Sequence, residues 1–231
     1  MQSQQKHPKS YSFEFFPPRT DDGLVKLRSV WQNLATVKPD FFSVTYGAGG
    51  STRDNTMKTV TSIQRDTGIE VAHHLSCVAA TFDSIDEILQ QFKINGIKRI
   101  VALRGDMPSG MHVRGDFNYA SDLVAFIRKQ TGDYFQIEVA AYPEMHPQAE
   151  NPVADITNFK TKVDAGADRA ITQYFYNIDA YFAFIDECEK NNIDVPILPG
   201  IMPIINFSQL ARFSDACGAE IPRWMRKRLE G

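Results

Sequence analysis

The chain has 231 residues in an ordinary globular balance, 43% hydrophobic and 23% charged, with a net charge of −3. That charge supplies no basic field for nucleic acid or anionic lipid, and no apolar run approaches the roughly 18 residues needed to span a membrane. The three cysteines, Cys77, Cys188 and Cys217, are odd in number and far apart, which argues against a disulfide framework and for a reducing, cytoplasmic setting.

Residues 1–10 are polar, lack the apolar stretch of a signal peptide, and are expected to be a frayed tail. From residue 11 a single domain is expected, because short apolar or β-branched runs recur roughly every thirty residues with helical segments between them. The runs are Tyr11–Phe16, Phe41–Tyr46, Glu70–Ser76, Arg99–Leu103, Gln136–Tyr142, Arg169–Tyr174 and Val195–Pro199. Between them Leu24, Leu27, Val30 and Leu34 repeat at helical spacing, as do Ile85, Ile88, Leu89 and Phe92, and then Ile156, Phe159 and Val163. Asn95-Gly96 and Ala165-Gly166 end two of these helices just before a strand. Repeated strand, helix, strand means a parallel sheet. A doubly wound sheet would carry a Gly-rich phosphate loop after its first strand; here that strand runs into Phe16-Pro17-Pro18-Arg19. The expected fold is therefore an α/β (β/α)8 TIM barrel, with about seven β/α units evident.

Barrel chemistry sits at the carboxyl ends of the strands. Polar groups stand at or near six of the seven: Glu14, Thr45-Tyr46, His73-His74, Arg104-Gly105-Asp106, Tyr142-Pro143-Glu144 with His146 behind, and Gln173-Tyr174. Glu14 lies among Phe13, Phe15 and Phe16. If it points inward it is desolvated, its pKa rises, and it becomes a proton donor. The competing arrangement turns it outward onto a helix lysine or makes it part of the barrel floor. His74 is either a core histidine or a ligand contact, while His73 alternates to the opposite face. Arg104 and Asp106 are either a loop ion pair or site residues. The loop Gly47-Ala48-Gly49-Gly50-Ser51 is either a close approach to a ligand or a permissive turn. No metal-ligand spacing and no G-x-S-x-G motif occurs, so neither a catalytic metal nor serine chemistry is expected.

Five segments, taken in register, resemble one known family: Ser12-Phe13-Glu14-Phe15-Phe16-Pro17-Pro18, Ser43-Val44-Thr45-Tyr46-Gly47, Val101-Ala102-Leu103-Arg104-Gly105-Asp106, Ala140-Ala141-Tyr142-Pro143-Glu144 and Ile171-Thr172-Gln173. They are similar to the methylenetetrahydrofolate reductases of the short bacterial type, in order from Ser12 to about Trp224. The resemblance implies an FAD-containing barrel that reduces 5,10-methylenetetrahydrofolate to 5-methyltetrahydrofolate. NADH or NADPH is the electron donor, in a ping-pong cycle, and a homo-oligomer is implied. It makes Glu14 the acid that opens the folate's imidazolidine ring, and Asp106 an anion near flavin and folate. It gives Thr45 a nicotinamide contact, and Gln173, Gln209 and Phe213 substrate contacts. FAD contacts carry onto Tyr46, His74, Arg104, Gly105, Asp106, Ala120, Tyr142, His146, Ala149, Asp155, Asn158 and Lys162. Asp155, Asn158 and Lys162 repeat at spacings of three and four, one helix face, although Thr161 stands where the family carries a basic residue. The resemblance also implies an eighth strand and its helix beyond Gly231, so a truncated chain is expected. The alternatives are a flavin-free barrel lyase or aldolase, and an FAD-binding fragment without full turnover.

Overall fold

The computed structural model describes residues 2–46, 50–106 and 115–230, of which 50–54 in backbone only. Its elements run α1 (Gln2–Gln5), β1 (Ser12–Phe15), α2 (Asp21–Ala35), β2 (Phe41–Val44), α3 (Gly50–Thr67), β3 (Val71–Ser76), α4 (Phe82–Ile94), β4 (Arg99–Leu103) and α5 (Ala120–Thr131). They continue with β5 (Gln136–Ala141), α6 (Pro152–Asp164), β6 (Arg169–Tyr174), α7 (Ile178–Lys190), β7 (Ile197–Gly200), α8 (Phe207–Cys217) and α9 (Arg223–Glu230). The seven strands follow one another in the sheet in the order β1-β2-β3-β4-β5-β6-β7, parallel wherever the register is defined. Sequential parallel strands with intervening helices make this an α/β fold of the TIM-barrel class. Six of the seven runs read from the sequence contain one of these strands, and the seventh, Val195–Pro199, overlaps β7, which runs one residue further to Gly200.

The chain divides into two compact units, one of residues 9–139 and 165–167, the other of 1–8, 140–164 and 168–231. In the first, β2 is buried at every position and β3 at all but its last. Strands of a parallel sheet are covered on both faces and so lose the polar alternation of a half-exposed strand. Helix α4 begins in a capping box in which Thr81 and Ser84 exchange hydrogen bonds, and buries Ile85, Ile88, Leu89 and Phe92 as their spacing predicts. In α2 the buried anchor is Trp31, fully enclosed, while Val30 is 45% exposed. The apolar stripe runs through Trp31 because it stands four residues after Leu27, one turn along the same face.

The second unit packs Tyr174 of β6 with Leu210 of α8, and with Ala219 and Ile221 beyond it. Residues 2–8 belong to this unit. Helix α1 forms there, and its Ser3 donates to Glu189 from both backbone and hydroxyl while Gln4 donates to Val195 and accepts from Ile197. Those partners lie near 190 in sequence, so nothing local to residues 1–10 could reveal them.

Candidate active site

In the unit of β1–β4, the site begins with Glu14. Parallel pairing sets Glu14 of β1 beside Ser43 of β2, and Ser43 beside Ala72 of β3. His74 follows Ala72 by two residues and so shares its face. The His74 ring nitrogen Nε2 lies 3.3 Å from Glu14 Oε2, and the Ser43 hydroxyl donates a hydrogen bond to the same carboxylate. The glutamate side chain is 48% exposed.

This corrects the expectation of a raised pKa at Glu14. Desolvation remains the largest single influence and pushes the carboxyl upward. The hydrogen bond and charge of His74, joined by the Ser43 hydrogen bond, outweigh it and hold the carboxyl below its ordinary 4.5. Donors that favour the charged form win because the group is only half removed from water. The partner is a histidine, not a helix lysine.

His73, as expected, turns away: its Nδ1 lies 2.6 Å from the His74 carbonyl and its ring packs on Phe92 at 4.5 Å. Thr45 donates its N–H to Phe15 and accepts from the Thr56 hydroxyl, which ties the end of β2 to β1 and α3. Tyr46 is half-buried, its ring 6.3 Å from that of His73. Gly47, Ala48 and Gly49 lie outside the described residues; Gly50 and Ser51 open α3.

After β4, Arg104 and Gly105 are half-buried and Asp106 is exposed. Gly105 has φ +83°, and a Cβ there would stand 2.0 Å from Ser76 Oγ, which itself donates to the Arg104 carbonyl. Only glycine fits this turn. Ala120 opens α5. Cys77 is enclosed, and burial pushes its thiol up to about 12, so it carries no thiolate for catalysis.

The remaining site residues belong to the other unit. Tyr142 and His146 meet edge to face at 4.5 Å. Asp155, in the first turn of α6, accepts the His146 backbone N–H at 2.9 Å, and Ala149 donates its own N–H to the His146 carbonyl. Two turns further along α6, Lys162 donates to the Ala140 carbonyl at 2.5 Å. Burial pushes this ammonium down to about 8, with Asp155 opposing. Asn158, between them on the helix, is exposed. Gln173 accepts the Tyr174 N–H through its side-chain oxygen. Gln209 and Phe213 stand one turn apart on the exposed side of α8, whose buried side holds Leu210 and Ser214.

Three features of the site region escaped the sequence. Ser43 is 2% exposed within Phe41-Phe42-Ser43-Val44, and its lone polarity in an apolar run was the available signal. Tyr174 shares a buried cluster with Ser214 at 3.0 Å and Cys217 at 3.4 Å, joined only by folding. Glu144 receives the Glu220 N–H at 2.8 Å; desolvation nevertheless raises its carboxyl above the ordinary value. Among the described residues no group of three His, Cys, Asp or Glu side chains is placed to hold a metal, and no helix is long and apolar enough to cross a membrane.

Comparison with known proteins places these features in a family. The family model for methylenetetrahydrofolate reductase matches residues 1–231. The 5,10-methylenetetrahydrofolate reductases of Salmonella typhimurium and Escherichia coli are each 47% identical over 220 residues, spanning 95% of this chain and 73% of theirs. The Arabidopsis thaliana methylenetetrahydrofolate reductase (NADH) 1 is 41% identical over 96% of this chain and 40% of its own. Among solved structures, an uncharacterised Clostridium thermocellum protein that binds two copies of 5-methyl-5,6,7,8-tetrahydrofolic acid has a TM-score of 0.65 at 17% identity, over 99% of this chain and 78% of that one. Phosphonopyruvate hydrolase reaches 0.57 at 11% identity, over 99% of this chain and 92% of its own. At such identities the structures speak for the barrel fold alone, whereas the family model and the close relatives speak for descent: the chain belongs to the methylenetetrahydrofolate reductase family.

Proposed function

We propose that the chain is a flavoenzyme that reduces 5,10-methylenetetrahydrofolate to 5-methyltetrahydrofolate with NADH or NADPH, with Glu14 as the acid. The observation that carries the reading is the carboxylate of Glu14 at a strand end, 3.3 Å from His74. The names of the relatives support the substrate, and that of the plant relative supports NADH.

The residues present fit FAD. Lys162 is a half-buried ammonium whose charge its surroundings disfavour. A pyrophosphate nearby would restore that charge, which is the chemistry expected of a lysine reserved for an anion. Gly105 leaves no room for a side chain, as suits backbone that approaches a ligand closely. In this reading Tyr46, His74, Arg104, Gly105, Asp106, Ala120, Tyr142, His146, Ala149, Asp155, Asn158 and Lys162 hold the flavin, which when bound supplies the two-electron relay between nicotinamide and folate.

The chain's own residues then handle position and protons. Glu14 is ionised in the resting protein, so it takes up a proton before it can give one. Folate covering a half-exposed carboxylate would strip its water and raise its proton affinity. The proton goes to the imidazolidine nitrogen that becomes the leaving amine as the ring opens to an iminium ion. The anion of Asp106 favours that cation electrostatically. Thr45 serves the nicotinamide, and Gln173, Gln209 and Phe213 orient the folate.

The direct test is to purify the protein, add FAD and remove the excess. A yellow protein whose flavin absorbance bleaches under anaerobic NADH or NADPH is the expected result, and the faster of the two identifies the donor. A protein that stays colourless after reconstitution sinks the reading.

A further inference from the structure

We propose that Ser43 is a positioning residue for Glu14: its buried hydroxyl on β2, in register with Glu14 on β1, anchors the carboxylate together with His74 of β3. The inference rests on the reading of Glu14 as the folate acid and adds to it a residue that the family motifs left unassigned.

Three observations converge. Ser43 is the one polar residue of β2, where Phe41, Phe42 and Val44 are enclosed, and it is itself only 2% exposed. A hydroxyl in such a place needs a hydrogen-bond partner. Second, the parallel register aligns Glu14 with Ser43 and Ser43 with Ala72, so His74, two residues past Ala72, completes a row across three strands on one face. Third, both neighbours flank the carboxylate: the His74 ring nitrogen stands 3.3 Å away, and Ser43, beside Glu14 in the register, acts on it to lower its pKa.

A glutamate side chain at 48% exposure would otherwise sample several rotamers. Polar side chains from two different strands, Ser43 in register and His74 at 3.3 Å, narrow that choice. A general acid must stand within hydrogen-bond reach of its acceptor, and small misplacement is costly. Both donors also favour the carboxylate over the acid, so Ser43 helps keep Glu14 ionised until a ligand changes its surroundings. Among the groups that act on Glu14, His74 acts through both hydrogen bonding and charge, and Ser43 through hydrogen bonding alone.

The test uses carboxyl-labelled protein without cofactor, followed by carbon-13 NMR over pH, with Glu14→Gln to identify the Glu14 resonance. In the parent, Glu14 should titrate below 4.5. In Ser43→Ala the titration should move up by about one pH unit, the effect of losing one hydrogen bond to a charged group. Ser43→Thr, which keeps the hydroxyl, should bring it back. In the flavin-loaded protein, Ser43→Ala should slow folate reduction by about tenfold while shifting NADH oxidation far less. An unmoved titration in Ser43→Ala, with folate reduction lost in Glu14→Gln, overturns the Ser43 inference alone. Full folate reduction by Glu14→Gln overturns the acid reading and the inference with it.

Discussion

Glu14 and Lys162 show how a residue's surroundings set what it can do. Replacing Glu14 by Gln keeps the shape and removes the proton. Flavin reduction by the nicotinamide should persist in stopped-flow traces, while folate reduction should fall by about 10²-fold or more. Equal damage to both steps would make Glu14 structural. Glu14 also contributes to stability through its lowered pKa: the contribution is present above 4.5 and is lost as pH falls through the folded value. Lys162 has the opposite sign. Its folded pKa of about 8 lies under its ordinary 10.5, so between these values the unfolded chain binds more protons and stability rises with pH. Lys162→Met should flatten that rise, on the order of 3 kcal/mol across the window, in urea titrations of the cofactor-free protein. The same variant should weaken FAD binding by about tenfold or more, read by flavin fluorescence. The position of Glu14 was legible because three phenylalanines surround it. Its proton affinity was not, because His74 and Ser43 reach it from strands about sixty and about thirty residues away in sequence.

At the scale of strands and helices, two contacts decide how well the scaffold holds. Arg99 of β4 reaches Glu138 of β5 at 2.9 Å and Glu70 at 2.6 Å, and the Glu138 side chain is fully enclosed. Arg99→Met would strand a buried carboxylate and should cost about 3–5 kcal/mol in denaturant titration. Adding Glu138→Leu should recover most of that loss, and failure to recover would mean that the pair does more than neutralise itself. At the end of β7, a Cβ on Gly200 would stand 2.3 Å from the Thr172 carbonyl oxygen, a backbone atom that cannot swing aside. Gly200→Ala should therefore destabilise by about 1–3 kcal/mol. Strand positions were legible because a parallel sheet buries continuous apolar runs. The helical spacing in α2 picked out Val30, which is 45% exposed, and passed over its neighbour Trp31, which packing encloses. Helix α1 was illegible, since its partners Glu189, Val195 and Ile197 lie at the other end of the chain.

At the scale of the whole molecule, two compact units share one order of strands, and the family motifs are divided between them. Glu14, Thr45, His74 and Asp106 belong to one, and Tyr142, Asp155, Lys162, Gln173 and Phe213 to the other. The motifs were legible in the sequence because each occupies a single strand end and its loop. The contacts within each group were not, because they depend on the register between strands. The account's central claim is that this chain moves hydride to folate in two separable steps with Glu14 as the acid. The most direct test reduces the FAD-loaded protein anaerobically with NADH, removes the nicotinamide, and adds 5,10-methylenetetrahydrofolate. The account predicts reoxidation of the flavin with one equivalent of 5-methyltetrahydrofolate in the parent, and reduction without reoxidation in Glu14→Gln. A reduced parent protein that produces no 5-methyltetrahydrofolate, or a Glu14→Gln variant that produces it at the parent's rate, would contradict it.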